Sequence, residues 1–490
     1  MSTGKNIGLT SAVYNDVTRS NIESLFPSIR QRIQKSIFIS IDTEFTGLAI
    51  SNPSPVFKFN TTEWVTRATD MGEKYRAMTN IVKTHALVSM GISTFSRRHT
   101  RPGSYNVDNF NFTLQQQNSH LINPNSVAFL AQNGFDLNKQ ATEGIRYFGG
   151  PNPKPPSVKT PEINEEGWMI REVFLDIVRA RVPLVIHNGL FDLMYVYQAF
   201  LGPLPDSYQS FVYDLSLMFP GGIYDTKHIV EKNDPKSASF LAYLFHKNER
   251  IQKQRLEKEE SAVCIRLKDR IEYKPKAVDE QDRPKSDNIT NAPFCEQFAA
   301  HGHCRNKDLC PKSHDINFII DCQDLQEVPV DVNATSNSSP PQKKRKRDAN
   351  LDTDMEARPD RAIKIVTSAD VNLSSNGRLN KPHVAASTNA ELLENMYHTA
   401  AYDAFMTGYI FASYQILLGD KITDYINQVF LMGQSGSPLL IKPGRYSSVS
   451  ITFTQTQKMF ASTPDVEICA ENSSGKHDGN DNVNNNDSSK

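Results

Sequence analysis

Four acidic residues and one histidine in three distant segments could do chemistry together. They are Asp42 and Glu44 in Asp42-Thr-Glu-Phe-Thr-Gly, Asp192 in Asn188-Gly-Leu-Phe-Asp, and His398 with Asp403 in His398-Thr-Ala-Ala-Tyr-Asp-Ala-Phe. Asp42 and Glu44 close a β-forming run, Ser36-Ile-Phe-Ile-Ser-Ile. Side chains two apart in a strand share a face, so these carboxylates stand side by side, with Ile41 and Phe45 on the opposite face. Paired carboxylates repel, and burying them uncompensated is costly. A divalent cation resolves that conflict, and hard oxygen ligands select magnesium or manganese. Asp-x-Glu alone equally fits a strand that ends in solvated acids. The other acids tip the balance. Asp192 follows a short strand and opens a helix, which puts it at the C-terminal end of a sheet, where open α/β sheets bind ligands. Asp403 sits on an otherwise apolar helix, where a buried acid needs a partner. His398, five residues earlier, would point roughly 140° away on a continuous helix, so it is expected before the helix or in its first turns. A histidine satisfied by a backbone carbonyl is the bland alternative.

A second constellation is Cys295-x8-Cys304-x5-Cys310-x3-His314. Three thiolates and one imidazole suit tetrahedral zinc, and the surrounding residues have too little apolar content to fold without it. The remaining cysteines, Cys264, Cys322 and Cys469, are scattered, which fits a metal site in a reducing compartment better than a disulfide framework. The cluster resembles CCCH fingers that bind single-stranded RNA. In that reading Phe294 and Phe298 stack on bases, and Arg305, Lys307 and Lys312 meet phosphate. A finger that contacts protein is the other reading. Lys343-Lys-Arg-Lys-Arg347 reads as a nuclear-import signal or a weak RNA contact.

These residues need elements to hold them. Strand patterns cover residues 36–45, 85–95, 105–114, 182–187 and 447–460; helical spacing covers 61–84, 123–148, 168–180, 190–200, 238–248 and 389–418. Strands mixed with helices argue for an α/β sheet domain. We therefore expect a lead-in at 1–29, a split core at 30–248 plus 389–460, a charged linker at 249–292, the finger at 293–316, a disordered segment at 323–388 carrying the basic run 343–347, and a disordered tail at 471–490. The net charge is −1, so nucleic-acid contact must come from local patches. The start of the chain lacks the apolar core of a signal peptide, and no stretch approaches the roughly 18 apolar residues of a membrane span, so a soluble intracellular protein without a membrane partner is expected.

The three acidic motifs, in this order, resemble the exonuclease motifs of the DEDDh nucleases. Their wording, with Tyr224-Asp-Thr-Lys227 downstream, is similar to the CAF1/PARN deadenylase branch. The resemblance spans about half the chain. It implies an RNase H-like mixed sheet flanked by helices, interrupted here by an insertion carrying the finger. It also implies two Mg2+ (or Mn2+) ions about 3.5–4 Å apart, held by Asp42, Glu44, Asp192 and Asp403. His398 would be the general base, and the products 5′-monophosphates. Lys227 and Asp225 read as substrate contacts or as a surface ion pair, and Phe45 as a pocket wall or a core residue. The order of core, finger, basic run and last motif resembles a nuclear branch of the family. That branch implies adenylated 3′ ends of small nuclear RNAs as substrates, small nuclear ribonucleoprotein or Cajal-body components and an import receptor as partners, and nucleoplasm, Cajal bodies or nuclear speckles as location. A non-catalytic RNA-binding protein that keeps the nuclease fold, and an exonuclease acting on DNA, are the competing readings.

Overall fold

The apolar run Phe38–Phe45 forms an eight-residue strand, β2, that pairs on both sides. In the computed structural model the described residues are 14–48, 65, 68–99, 101–149, 161–267, 294–306, 309–327, 399–433 and 437–442. On one side β2 runs antiparallel to β3 (Leu87–Arg97), which pairs antiparallel with β4 (Ser104–Gln116). On the other side it runs parallel to β6 (Leu184–Ile186), then β7 (Ile223–Asp225) and β9 (Gln428–Val429) continue in parallel, and β10 (Leu439–Leu440) closes that edge antiparallel. The free side of the long β4 is covered by three short parallel strands: β8 (Cys264–Arg266) at one end, β1 (Asn15–Val17) in the middle and β5 (Ile145–Tyr147) at the other end. Such a long edge would otherwise offer unpaired backbone groups to another chain. The result is a mixed sheet with helices on both faces, as the resemblance implied.

Side-chain alternation along β2 assigns the two faces. Ile39 and Ile41 enter an apolar core with α1 (Ile22–Lys35), α2 (Met71–Thr84), α5 (Pro161–Ala180), α6 (Leu190–Phe200) and α7 (Tyr208–Met218). Two further helices, α3 (Pro124–Gln132) and α4 (Leu137–Glu143), lie between β4 and β5 in the chain. Phe38 enters the second core with α8 (Thr226–Asn233), α9 (Leu241–Glu257) and the helix after the insertion, α12 (Ala400–Leu418). Every residue from Ala400 to Tyr414 is buried, the expected fate of a helix that is apolar all round. Two glycines let α12 lie close on the sheet. A Cβ at Gly91 of β3 would sit 1.9 Å from the Ala400 carbonyl oxygen, and one at Gly408 would strike Phe95 and the Ser40 hydroxyl. Ser40 Oγ also donates to the Ala404 carbonyl at 2.7 Å.

The boundaries differ from expectation in three places. Strand β1 and helix α1 lie partly or wholly in the stretch read as a lead-in, 1–29, because Val17, Ile22 and Ile29 are buried in the first core. The stretch read as a charged linker from 249 belongs to the core up to Leu267: α9 runs on to Glu257, and β8 follows. Its polar residues are satisfied internally, since Gln252 Nε2 donates to Ser413 Oγ at 2.6 Å, Ser413 donates to Asn248 Oδ1 at 2.6 Å, and Gln252 Oε1 accepts from Val263 N at 2.9 Å. That network ties the last helix before the insertion to α12. Helix α11 (Ile316–Glu327) extends past the expected end of the finger, burying Ile319, Ile320 and Cys322, and Arg250 of α9 holds its Asp321 at 2.5 Å. The strand expected over 447–460, the basic run 343–347 and the tail 471–490 lie outside the described residues. Among the described residues no helix is long and apolar enough to cross a membrane.

Candidate active site and metal centre

The C-terminal end of β2 is where the acids meet. Asp42 and Glu44 point to the α12 face, and Asp403, in the first turn of α12, joins them: carboxylate oxygens of the three lie within 4.8 Å of one another. Thr43 points the other way, towards α6, and its hydroxyl donates to Asp192 Oδ1 at 2.6 Å. Asp192 occupies the first turn of α6, as Asp403 does that of α12, where the partial positive charge of a helix N-terminus favours a carboxylate. The two helices thus bring acids around the strand end from opposite faces of the sheet.

Burial, then the charges of Asp192, Asp403 and Glu44, push the Asp42 carboxyl well above the usual carboxylate range. Burial, then Asp403 and Asp192, does the same to Glu44. Asp192 is pushed up to about 6 by burial, against the lowering effect of the Thr43 hydroxyl. None of Asp42, Glu44 and Asp192 makes an ion pair among the described residues. Crowded, desolvated carboxylates with mutually raised pKa values are a donor set that a divalent cation would complete, and their oxygens fit magnesium or manganese. His398 lies outside the described residues, which resume at Thr399, just before α12 begins at Ala400.

The turn that delivers Asp192 rests on residues whose roles differ from expectation. Asn188 takes a left-handed conformation (φ 55°), which asparagine tolerates better than most residues. Its N–H is held by Asp225 Oδ1 at 2.9 Å, which also accepts from Lys227 N at 3.0 Å, while Oδ2 accepts from Phe430 N at 3.0 Å. Asp225 is fully buried, with its carboxyl pushed up to about 6 by burial. It is therefore neither a substrate contact nor half of a surface ion pair; it ties three segments of the cleft wall together. Lys227 donates to Ser239 Oγ at 3.0 Å and sits 5.0 Å over the Phe430 ring, with Glu231 at 3.9 Å. Phe45 lines the cleft and also stacks on Tyr195, with ring centroids 4.0 Å apart. His187 bonds through both ring nitrogens, to Thr226 Oγ1 at 2.9 Å and the Ser239 carbonyl at 3.1 Å, and burial lowers its pKa to about 3. It is a neutral structural histidine. Lys74, buried in α2, lines the same cleft and donates to the Met432 carbonyl at 2.6 Å. Neither Lys74 nor the 430–433 segment carried a local sequence pattern; the alternation of Thr43 with Asp42 and Glu44 did point it to the far face.

The Cys/His cluster also assembles. Ligand atoms of Cys295, Cys304, Cys310 and His314 lie within 4.8 Å of one another. His314 Nε2 is buried with no hydrogen-bond partner, and the Phe298 N–H together with the other cluster residues pushes the Cys295 thiol down to about 7. An orphaned imidazole nitrogen among three thiols fits one zinc ion. A short helix, α10 (Glu296–His301), starts at Cys295. Phe298 stacks on His314 at 4.5 Å and meets Phe240 of the nuclease face edge-on at 6.1 Å, so its ring packs the finger rather than being presented to a base, which corrects that expectation. Phe294 is half-buried and bridges to Ser313; Arg305 and Lys312 are exposed; Lys307 lies outside the described residues.

Comparison with known proteins agrees with this geometry. The sequence matches the family described as CAF1 family ribonuclease over residues 17–166 and 157–411. The chain belongs to that family. It is 27% identical over 214 residues to "Probable CCR4-associated factor 1 homolog 5" of Arabidopsis thaliana, covering 43% of this chain and 64% of that protein. It is 30% identical over 142 residues to "Poly(A)-specific ribonuclease PARN" of Danio rerio, covering 27% of this chain and 20% of that protein. Both matches span less than two thirds of the relative's length. The solved structure of S. pombe Pop2p in its Mg2+- and Mn2+-bound form covers 45% of this chain and 77% of that one, at 20% identity and a TM-score of 0.32.

Proposed function

We propose that this CAF1-family chain is a 3′-to-5′ exoribonuclease, a deadenylase that trims poly(A) or short 3′ tails and releases 5′-monophosphates. The observation that carries the reading is the meeting of Asp42, Glu44 and Asp403 within 4.8 Å, with Asp192 locked beside them by Thr43. These acids would hold two Mg2+ or Mn2+ ions, which when bound supply Lewis acidity and offset phosphoryl charge. The chain's own part is positional. Asp42 and Glu44 are held by the β2 ladder, Asp403 by the glycine-licensed approach of α12, and Asp192 by its threonine bond. His398 would take the proton from the attacking water, since an imidazole's ordinary pKa lies near neutrality.

The finer reading is a nuclear enzyme of the Target-of-Egr type. Its support is the order of motifs, with a CCCH finger and the basic run 343–347 inserted before the last acid. Substrates would be adenylated or extended 3′ ends of small nuclear RNAs, and partners an import receptor and Cajal-body or small nuclear ribonucleoprotein components. The test is a time course on 5′-labelled RNA ending in a short A-tail, with wild type, Asp42→Ala/Glu44→Ala and His398→Ala, in magnesium and in chelator. Stepwise shortening that needs the metal and the acids is expected. A well-folded wild type that binds RNA but never shortens it refutes the enzyme reading in favour of a binding protein.

A further inference from the structure

The catalytic cleft does not end at the acids. It has a volume of about 170 Å3, and Asn188, Phe430 and Met432 line it. The same three residues line a second, larger cavity of about 610 Å3 whose far wall is the zinc finger, at Ala300, His301 and His303. Sites of roughly 300–1,000 Å3 take drug-sized ligands, so this groove has room for roughly one or two nucleotides.

The walls are chemically suited to a single strand. His301 and His303 are exposed, with ring centroids 5.8 Å apart, and imidazoles are among the rings on which unpaired bases stack. Facing them, Lys227 lies over Phe430 and shares Ser239 with Glu231, whose charge it offsets. The finger wall is fixed in place. Phe298 meets Phe240 at 6.1 Å, and Gly302, at φ 72°, lies so close that a Cβ there would be 2.8 Å from the Phe240 ring. Behind it, α11 is held by the Arg250–Asp321 pair.

We propose that this groove is a second RNA subsite, which takes the nucleotides 5′ of the terminal one so that finger and nuclease face hold one strand together. The proposal rests on the exoribonuclease reading above, because it is the strand end at the acids that sends the rest of the strand past Phe430. It gives the finger a role as a wall of the substrate path rather than as a separate RNA tether.

The full chain, loaded with zinc, is tested with oligoadenylates of roughly three and roughly twelve nucleotides. Binding is read by fluorescence anisotropy in calcium, and cleavage in magnesium. His301→Ala/His303→Ala removes the stacking rings, and Ala300→Trp narrows the groove. Each variant is expected to weaken binding of the long RNA ~10-fold, the loss typical of one missing base stack, and to narrow the ratio of KM values between short and long substrates by a similar factor. A 4-thiouridine placed a few nucleotides from the 3′ end should crosslink to the finger. Zinc content, measured alongside, must match wild type. Unchanged long-RNA affinity in both variants, with the crosslink elsewhere, overturns the subsite. Groove-dependent binding without cleavage keeps the subsite and sinks the enzyme reading; cleavage insensitive to both variants does the reverse.

Discussion

Asp192→Asn should stabilise the metal-free protein above about pH 6 while abolishing cleavage. Burial raises the Asp192 pKa from 3.8 to about 6, so its ionisation works against folding. The sign follows from proton binding: between these two values the folded state holds a proton that the unfolded state has released, and stability falls as pH rises. The penalty is absent at acid pH, grows between 3.8 and about 6 and is complete above that. At about 1.4 kcal/mol per unit the shift amounts to roughly 3 kcal/mol. Asp192 is only 8% exposed, so solvent screening takes little from this figure. Asparagine keeps the acceptor for the Thr43 hydroxyl and loses the charge. For a domain of this size roughly 3 kcal/mol moves a melting midpoint by about 5–10 °C. The assay is thermal melting by circular dichroism in chelator, at about pH 4.5 and about pH 8. The variant should melt higher than wild type at the upper pH and level with it at the lower. Added magnesium or manganese should raise the wild-type midpoint more than the variant's, because the ions need the charge that the mutation removes. A variant that melts below wild type in chelator at the upper pH, or whose gain is the same at both pH values, would refute the claim that these acids are strained without a cation.

Gly91→Ala should cut cleavage at least ~100-fold with the fold retained, because its Cβ meets the Ala400 carbonyl at 1.9 Å and must displace the start of α12 with Asp403; melting curves within ~1–3 kcal/mol of wild type would separate misplacement from unfolding. Asp225→Ala should destabilise by ~1–3 kcal/mol, since the buried N–H groups of Asn188, Lys227 and Phe430 lose their acceptor and together outweigh the relief of a buried charge, and urea titration would show it. Chelating zinc should unfold the finger and expose Cys295, Cys304 and Cys310 to alkylation together, while buried Cys322 stays protected; mass spectrometry of iodoacetamide-treated protein reads this, and finger thiols that stay protected in chelator would refute it.

Local patterns in the sequence determined which residues could share a site and the strand that carries the first two of them. Asp42 and Glu44 share a face because a strand has period two, and the Cys/His spacing closes a cluster within twenty residues because a finger folds around its own ligands. The apolar helix through 400–418, with Asp403 on it, was likewise written locally, whereas the start at Ala400 that puts Asp403 in the first turn was not. Tertiary structure decided what no window contains. The short strands β1, β5 and β8 exist because β4 has a long free side to cover, not because three residues carry a strand pattern. The polar stretch after 248 folds because Asn248, Gln252 and Ser413, distant in sequence, satisfy one another in the interior. Asp225 reads as a surface acid until Asn188, Lys227 and Phe430 each point an N–H at it. The groove shared by finger and cleft likewise arises only when Phe240 receives Phe298 and Gly302. Period and spacing fix what a segment can do by itself; which distant partner meets its unsatisfied groups is settled only by packing.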